Sequence, residues 1–158
     1  KAIEKKDNLA QGHFQLSIVQ SALGETDEAI ESNKKAVSAD INNADYIINL
    51  AKLLEGRGTD NDKDDAEQLY KTLIARNDKN INAHFYLGLY YEKAKKRQEA
   101  KEEYKKVQSL LPQGNDETNK QLEKMISNVD AGIENTPQNL GLTSQSVGKE
   151  NGNGESAQ

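Results

Sequence analysis

The stretch that decides the fold is Asn82–Pro112, NAHFYLGLYYEKAKKRQEAKEEYKKVQSLLP. Two sets of apolar residues recur in it at intervals of three or four: Ala83, Leu87 and Tyr91, then Ala100, Tyr104 and Val107. Such intervals place each set on one face of an α-helix. The stretch therefore predicts two amphipathic helices that are joined by a short turn and must pack on each other.

The same pattern occurs three times in the chain. Leucines early in each copy are separated by 34 and then 37 residues: Leu16, Leu50 and Leu87. Small residues later in each copy are separated by 37 and then 34 residues: Ala29, Ala66 and Ala100. The interval lengthens inside the second copy, so we place three extra residues in the acidic segment 59–65. We predict that this segment is a turn between helices, where added residues cost little free energy.

A helix-turn-helix unit with a 34-residue period resembles the tetratricopeptide repeat (TPR). The third copy carries the resemblance best, with suitable residues at its signature positions: His84, Leu87-Gly88, Tyr91, Ala100, Tyr104 and Pro112. The resemblance implies an all-α fold, a right-handed α-solenoid of stacked TPR-like repeats. A capping helix and a disordered C-terminal tail are expected to follow the repeats.

Two features of the copies depart from the TPR pattern. The first copy has Gln20 and Asn33 at positions that usually hold aromatic residues, which predicts weaker packing there. Gly24 and Gly58 follow the first helices of copies one and two, where a left-handed residue normally ends a helix. The third copy has Lys95 at that point, so we expect a strained or differently shaped turn.

The chain divides into six predicted segments. They are the end of a preceding repeat helix (1–9), repeat 1 (10–43), repeat 2 (44–80), repeat 3 (81–114), a capping helix (115–131) and a tail (132–158). Because the first residue is Lys and segment 1–9 resembles the end of a repeat, we expect the solenoid to continue upstream.

The capping helix is predicted from four apolar residues that share one helix face: Leu122, Met125, Ile126 and Val129. Either Thr118, in a capping box with Gln121, or Asn115 is expected to cap its start. From Gly132 onward the sequence has five glycines and no aromatic residue. That composition predicts a disordered tail.

The resemblance implies that the first helices of the units line a concave, peptide-binding groove. By alignment its residues are Gln11, Phe14, Gln15, Ile18, Asp45, Ile48, Asn49, Lys52, Asn82, Phe85, Tyr86 and Leu89. The apolar members form a strip between amides, which suits a helix or an extended peptide with apolar anchors. We therefore expect a non-catalytic protein-protein interaction scaffold or adaptor. In one variant, the tail segment 133–142 occupies the groove of its own molecule.

Two other functions stay open from the sequence. The solenoid is a candidate for self-association, because the face above Phe14 and Leu16 has no preceding repeat to cover it. Alternatively, the segment is the soluble C-terminal domain of a larger enzyme or membrane protein. We reject binding to chaperone C-termini, for which a subset of the family uses Lys, Arg and Asn side chains to hold two carboxylates. Here those positions are Phe14, Ile18, Asn49, Asn82 and Tyr86, and only Asn49 matches.

Composition excludes several classes of site. A net charge of −5 argues against nucleic acid as a partner, and the chain has no cysteine for disulfides or thiolate metal sites. The hydrophobic fraction of 34% fits the thin core of a solenoid. The sequence contains no apolar run that could insert directly into a membrane. We expect no cofactor and no catalytic residue, because no catalytic or phosphate-binding motif is present. The composition leaves the cellular compartment open.

Two groups of residues suggest chemistry but have simpler explanations. The acidic run Asp60, Asp62, Asp64 and Asp65 resembles the start of a calcium loop, yet it lacks the required glycine and the final glutamate. His13 and His84 occupy equivalent repeat positions, which favours a packing role. We therefore expect a solvated acidic turn, packed histidines and no metal site.

Overall fold

The computed structural model describes residues 2–135, with side chains from Leu9 onward. Within this range the regular structure is entirely α-helical, in seven helices: α1 (Ala2–Ala22), α2 (Thr26–Ala39), α3 (Ala44–Arg57), α4 (Asp60–Arg76), α5 (Ile81–Lys93), α6 (Arg97–Leu110) and α7 (Asp116–Ala131). Each helix packs on the next, and α3 also packs on α5. The predicted all-α solenoid is confirmed. Residues 136–158, on which most of the predicted disordered tail falls, lie outside the described range.

Small residues sit where the two helices of each unit cross. Ala29, Ala66 and Ala100 have no accessible surface, and the Tyr104 ring is fully buried beside Gly88. A Cβ atom added to Gly88 would lie 2.6 Å from Tyr104 Cε1, which is closer than packed carbon atoms can approach. The close helix contact in repeat 3 therefore depends on a glycine in one helix and a tyrosine in the other.

The structure corrects the prediction for residues 1–9. Helix α1 runs without interruption from Ala2 to Ala22, so this segment forms the start of the first helix instead of the end of a separate one. The segment contains no glycine or proline, and its alanine, lysine, glutamate and leucine residues are good helix formers. Asp7 and Asn8 do not end the helix, because helical hydrogen bonding on both sides outweighs their weak preference for turns.

The extra residues of repeat 2 also lie elsewhere than predicted. The turn between α3 and α4 contains only Gly58 and Thr59, and segment 60–65 is helical. Thr59 and Asp62 form a capping box, in which each side chain accepts from the other backbone N–H at 3.2 Å. Acidic side chains in a first turn also complement the positive end of the helix dipole. The insertion therefore lengthens α4 to 17 residues, against 14 in α2 and in α6.

The turns after the three first helices share one backbone conformation. Gly24 and Gly58 adopt left-handed conformations, with φ values of 81° and 77°. Lys95 adopts the same conformation, with a φ of 61°, although it carries a Cβ atom. The left-handed region is unfavourable for a residue with a side chain. The third turn is therefore not differently shaped, and its strain falls on Lys95.

Helix α7 caps the apolar end of repeat 3. Leu122, Met125 and Val129 are buried, and Ile126 packs against the same core. The helix begins at Asp116, so Thr118 lies inside it and the suggested capping box with Gln121 does not form. Asn115 takes the N-cap position, but its side chain donates to the Pro112 carbonyl (2.9 Å) instead of accepting from the helix.

Candidate protein-interaction groove

A buried polar network joins α1 to α3. Asn33 of α2 is fully buried, and its amide donates to the Tyr46 carbonyl at 3.0 Å and accepts from Asn49 Nδ2 at 2.5 Å, in the orientation that satisfies both neighbours. Asn49 Nδ2 also lies 3.3 Å from Ser17 Oγ. The asparagine that departs from the TPR pattern thus finds hydrogen-bond partners, as buried amides require. Asn49, a predicted groove residue, connects the first helices of repeats 1 and 2.

Contacts between side chains also join α3 to α5. The Lys52 ammonium lies 4.9 Å from the centre of the Tyr86 ring, and Lys93 Nζ lies 2.9 Å from Glu55 Oε2. Tyr86 stacks on Tyr70 of α4, with ring centres 6.4 Å apart. These contacts hold α5 against α3. They also pair both lysines with groups of this chain.

Aromatic packing fixes the two phenylalanines of the predicted groove. Phe14 lies against Tyr46, with ring centres 4.8 Å apart, and Phe85 lies 6.2 Å from Tyr104 in the core of repeat 3. Both phenylalanines remain partly accessible. One side of each ring is therefore held by the chain, while the ring as a whole stays partly accessible.

The accessibility of the predicted groove residues varies. The exposed ones are Gln11, Gln15, Ile18, Asp45, Lys52 and Asn82. The partly buried ones are Phe14, Asn49, Phe85, Tyr86 and Leu89. Ile48 is only 6% exposed and belongs to the core, so its prediction as a groove residue needs correction. The reason is its central helix, because α3 packs on α2, α4 and α5 and most of its circumference is covered.

Two carboxylates, on α3 and on α5, hold tyrosine hydroxyls. Tyr70 Oη donates to Glu55 at 2.7 Å, and Tyr104 Oη donates to Glu92 at 2.8 Å. Burial, and then the neighbouring carboxylate, raise the pKa of both tyrosines well above the usual range. Both hydroxyls therefore remain neutral donors. The carboxylates of Glu55 and Glu92 each already accept a hydrogen bond from within the chain.

The chain after α7 returns to α5. Gly132 is left-handed and ends the helix, and Asn135 then contacts Glu92 of α5 through its backbone and its side chain. The sequence signals the helix end through Gly132, but no local pattern identifies Glu92 as the partner of Asn135. Of the tail segment 133–142 that we considered as a groove ligand, only 133–135 lie within the described residues.

Arg57 is a structural residue that the sequence did not identify. Its guanidinium bonds Asp62 through Nε at 2.8 Å and Nη2 at 2.5 Å, and Asp27 through Nη1 at 2.8 Å. These bonds, followed by those from Thr59, lower the pKa of Asp62 well below its usual range. The acidic run thus begins α4 and anchors it to α3 and α2. The full run has no calcium-loop geometry, because it is helical.

The histidine pair divides into one buried and one partly exposed side chain. His84 is buried, with Nδ1 2.6 Å from Glu103 Oε2 and Nε2 3.1 Å from the Asp78 carbonyl. His13 is partly exposed on α1.

Among the described residues, no group of three His, Cys, Asp or Glu side chains is arranged to hold a metal ion. None of the helices within residues 2–135 is both long and apolar enough to cross a membrane.

Comparison with known families gives a match over most of the chain. The family model described as the cytochrome c-type biogenesis protein H TPR domain matches residues 1–118. The search of the curated proteins finds no match.

Solved structures share the fold. The first TPR of Spaghetti (RPAP3), bound to the HSP90 peptide SRMEEVD, is 26% identical, with a TM-score of 0.62 over 79% of this chain and 95% of that one. The Yersinia enterocolitica type III secretion chaperone SycD, in complex with a peptide of the translocator YopD, is 15% identical, with a TM-score of 0.64 over 77% and 92%. MamA is 23% identical, with a TM-score of 0.60 over 93% and 77%.

Proposed function

Since the chain belongs to the TPR family described as the cytochrome c-type biogenesis protein H TPR domain, we propose that it binds a segment of a partner protein in the groove along α1, α3 and α5, without catalysis. Two of the solved structures that share its fold, the first TPR of Spaghetti and SycD, each hold a peptide of another protein. The observation that carries the proposal is the row of partly accessible aromatic side chains, Phe14, Phe85 and Tyr86, each supported from behind by the fold.

The chemistry of the groove favours a partner with apolar anchors. Ile18 is 42% exposed on the α1 wall, beside the exposed amides of Gln11 and Gln15. On the other walls, Lys52 lies over a tyrosine and Lys93 is paired with a glutamate of the same chain. Apolar side chains of a peptide would gain from burial here, and the amides are suited to bond its backbone.

The proposed ligand differs from the acidic peptide bound by the HSP90-binding relative. A buried carboxylate needs cationic or other strong hydrogen-bond donors to offset its lost hydration. At the clamp positions this chain has Phe14, Ile18, Asn49, Asn82 and Tyr86. Asn49, which alone matches the clamp, already bonds Ser17 and Asn33. We therefore propose an uncharged, apolar segment as the ligand instead of a chaperone C-terminus.

A displayed peptide library tests the proposal directly. Peptides selected on the wild-type chain should be rich in apolar side chains, and their affinity should fall at least about tenfold for Ile18→Asp. Tyr86→Ala should give a similar loss, and circular dichroism should show unchanged helix content for both variants.

The matched control is Leu16→Lys, which changes an exposed residue of α1 outside the groove. This variant should bind the selected peptides as the wild type does. Selection of peptides with acidic C-termini, or equal binding by wild type and Ile18→Asp, would refute the groove assignment.

A further inference from the structure

Helix α1 and the residue that follows it carry a second apolar surface, on the side away from α2 and from the predicted groove residues. Its members share high exposure, namely Leu9 (56%), Leu16 (47%), Val19 (54%) and Leu23 (68%). They lie at intervals of three, four and seven residues, so they form one continuous stripe, which we call the outer stripe. At about 1.5 Å per residue, the stripe from Leu9 to Leu23 is roughly 21 Å long.

The other repeats show what this surface normally does. Leu16 corresponds to Leu50 and Leu87, which are 7% and 2% exposed. Val19 corresponds to Leu53 and Tyr90, which are each 7% exposed. In repeats 2 and 3, a second helix from the preceding repeat packs on the first helix: α2 on α3, and α4 on α5. The outer stripe is therefore a helix-packing surface without its helix in the described part of the chain.

The outer stripe also lacks the charges that mark a solvated helix face. Segment 9–23 contains no Asp, Glu, Lys or Arg, although such residues make up 30% of the chain. Apolar and uncharged polar side chains of this kind are typical of surfaces that are covered in the assembled protein. A partner surface must likewise be uncharged, because a charge buried here would find no counter-charge within segment 9–23.

We infer that the outer stripe is covered by the same stripe of a second copy of this chain, in a two-fold, antiparallel pairing of α1 helices. The three leucines are spaced by seven residues and are symmetric about Leu16. An axis at Leu16 therefore sets Leu9 of one copy against Leu23 of the other, and Leu16 against itself. Both surfaces are uncharged, so the pairing creates no unpaired charge.

In an alternative arrangement, copies stack end to end, with α7 of one copy on the outer stripe of the next. The charged surface of α7 fits this arrangement less well than the outer stripe fits the two-fold pairing. Its exposed residues include Asp116, Glu117, Lys120, Glu123, Lys124 and Asp130. Packing this helix on the outer stripe would remove several of these charges from water without offering them partners. The groove is also left open in the two-fold pairing, because its residues lie on a different side of α1.

Light scattering after size exclusion tests the pairing. The wild-type mass should rise from 17.5 kDa toward twice that value as the concentration increases from about 1 to 300 µM, since one helix face gives a small interface. Leu16→Lys should weaken dimerisation at least about tenfold. Ile41→Lys, which changes an apolar residue that is exposed to a similar extent but lies outside the stripe, should dimerise as the wild type does. A wild type that stays monomeric, or equal effects of both variants, would overturn the inference.

Cysteine cross-linking tests the orientation, even if a lysine variant fails to fold. The chain has no cysteine, so each introduced thiol is unique. Under oxidation, Leu16→Cys should form a disulfide-linked dimer, and a mixture of Leu9→Cys with Leu23→Cys should cross-link to each other. Ser109→Cys, on the exposed side of α6, should remain a monomer. Efficient self-cross-linking of Leu9→Cys would instead indicate a parallel arrangement and contradict the antiparallel pairing.

Discussion

Asn135 and Glu92 are 43 residues apart in the chain and are joined by two hydrogen bonds. The Asn135 backbone N–H donates to Glu92 Oε1 at 2.7 Å, and its Nδ2 donates to Glu92 Oε2 at 2.8 Å. The buried Tyr104 hydroxyl donates to the same Oε2 atom at 2.8 Å. A single carboxylate of α5 thus connects α6 and the segment after α7, which fixes the capping end of the solenoid.

Replacing Glu92 with glutamine should destabilise the contact between α5, α6 and the segment after α7. The amide keeps the shape of the side chain, but its nitrogen cannot accept from Asn135 or Tyr104, so at least one donor loses its partner. Hydrogen bonds to a charged group contribute about 1.5 to 3 kcal/mol, so we expect Glu92→Gln to lower the free energy of unfolding by about 2 kcal/mol. Urea denaturation followed by circular dichroism measures the change.

The control for this substitution is Glu123→Gln, on the exposed face of α7. Glu123 accepts a long bond of 3.4 Å from Gln108, so its replacement should change stability by less than about 0.5 kcal/mol. Equal midpoints for wild type and Glu92→Gln would show that the Glu92 contacts do not stabilise the fold.

The repeat core could be predicted from the sequence, because its determinants are periodic and local. Ala66 and Ala100 occupy equivalent positions, and both are completely buried. The end of a helix could also be predicted where a residue has a strong conformational preference, as Gly58 has for the left-handed region. The insertion in repeat 2 was misplaced, because Thr59 and Asp62 resemble turn residues until their capping geometry is known.

The remaining features arise from contacts between distant residues. Nothing near Asn33 indicates that its amide bonds Tyr46 and Asn49, and nothing near Arg57 selects Asp27 as a partner. Such pairings depend on how helices are placed relative to each other, which a single periodic sequence does not specify. For the same reason the burial of Ile48 was missed. The groove itself, as a ligand site, stays a prediction.

Gly88→Ala should destabilise repeat 3, although alanine is the better helix former. The added methyl group would lie 2.6 and 2.8 Å from two ring carbons of Tyr104. This ring is fully buried and its hydroxyl is bonded to Glu92, so it has little freedom to move. Overpacking costs about 1 to 3 kcal/mol, whereas the higher helix propensity of alanine stabilises the helix by up to about 1 kcal/mol. Thermal unfolding should therefore show a net loss of about 1 to 2 kcal/mol in the free energy of unfolding.

Gly56→Ala provides the matched control for this substitution. Gly56 also lies in a helix, but an added Cβ atom meets nothing within 4 Å. This variant should be neutral or more stable by up to about 1 kcal/mol, because only the propensity effect remains. A Gly88→Ala protein as stable as the wild type would mean that the α5 and α6 contact can relax.

Lys95→Gly should stabilise the protein. The left-handed conformation costs a residue with a Cβ atom about 1 to 2 kcal/mol, and glycine removes that cost. Glycine also has more conformational freedom in the unfolded chain, which reduces this gain in stability by about 0.5 to 1 kcal/mol. We expect a net gain of about 0.5 to 1 kcal/mol in thermal unfolding. Lys105→Gly, inside α6, should instead lose about 1 kcal/mol, and a loss for both variants would contradict the strain at Lys95.

Glu67 of α4 makes the stability of the repeats depend on acidity. Its carboxylate accepts from Tyr91 at 3.1 Å and lies 2.6 Å from Lys71 Nζ and 3.0 Å from Lys96 Nζ. Burial alone would raise its pKa, but the bonds from Lys71, Lys96 and Tyr91 outweigh burial and lower the pKa from 4.5 to about 2. The folded state therefore prefers the ionised carboxylate more strongly than the unfolded state does.

Glu67→Gln should reduce the loss of stability in acid. For a lowered carboxyl pKa, the stabilisation is complete above pH 4.5 and disappears as the pH falls toward 2, because the unfolded chain takes up the proton first. Both lysines are nearly half exposed, so we expect a contribution of about 1 kcal/mol. Melting temperatures between pH 6 and about 2 should fall less steeply for Glu67→Gln than for wild type. Glu31→Gln, in an exposed pair with Lys34, should keep the wild-type slope, and equal slopes for all three proteins would refute the role of Glu67.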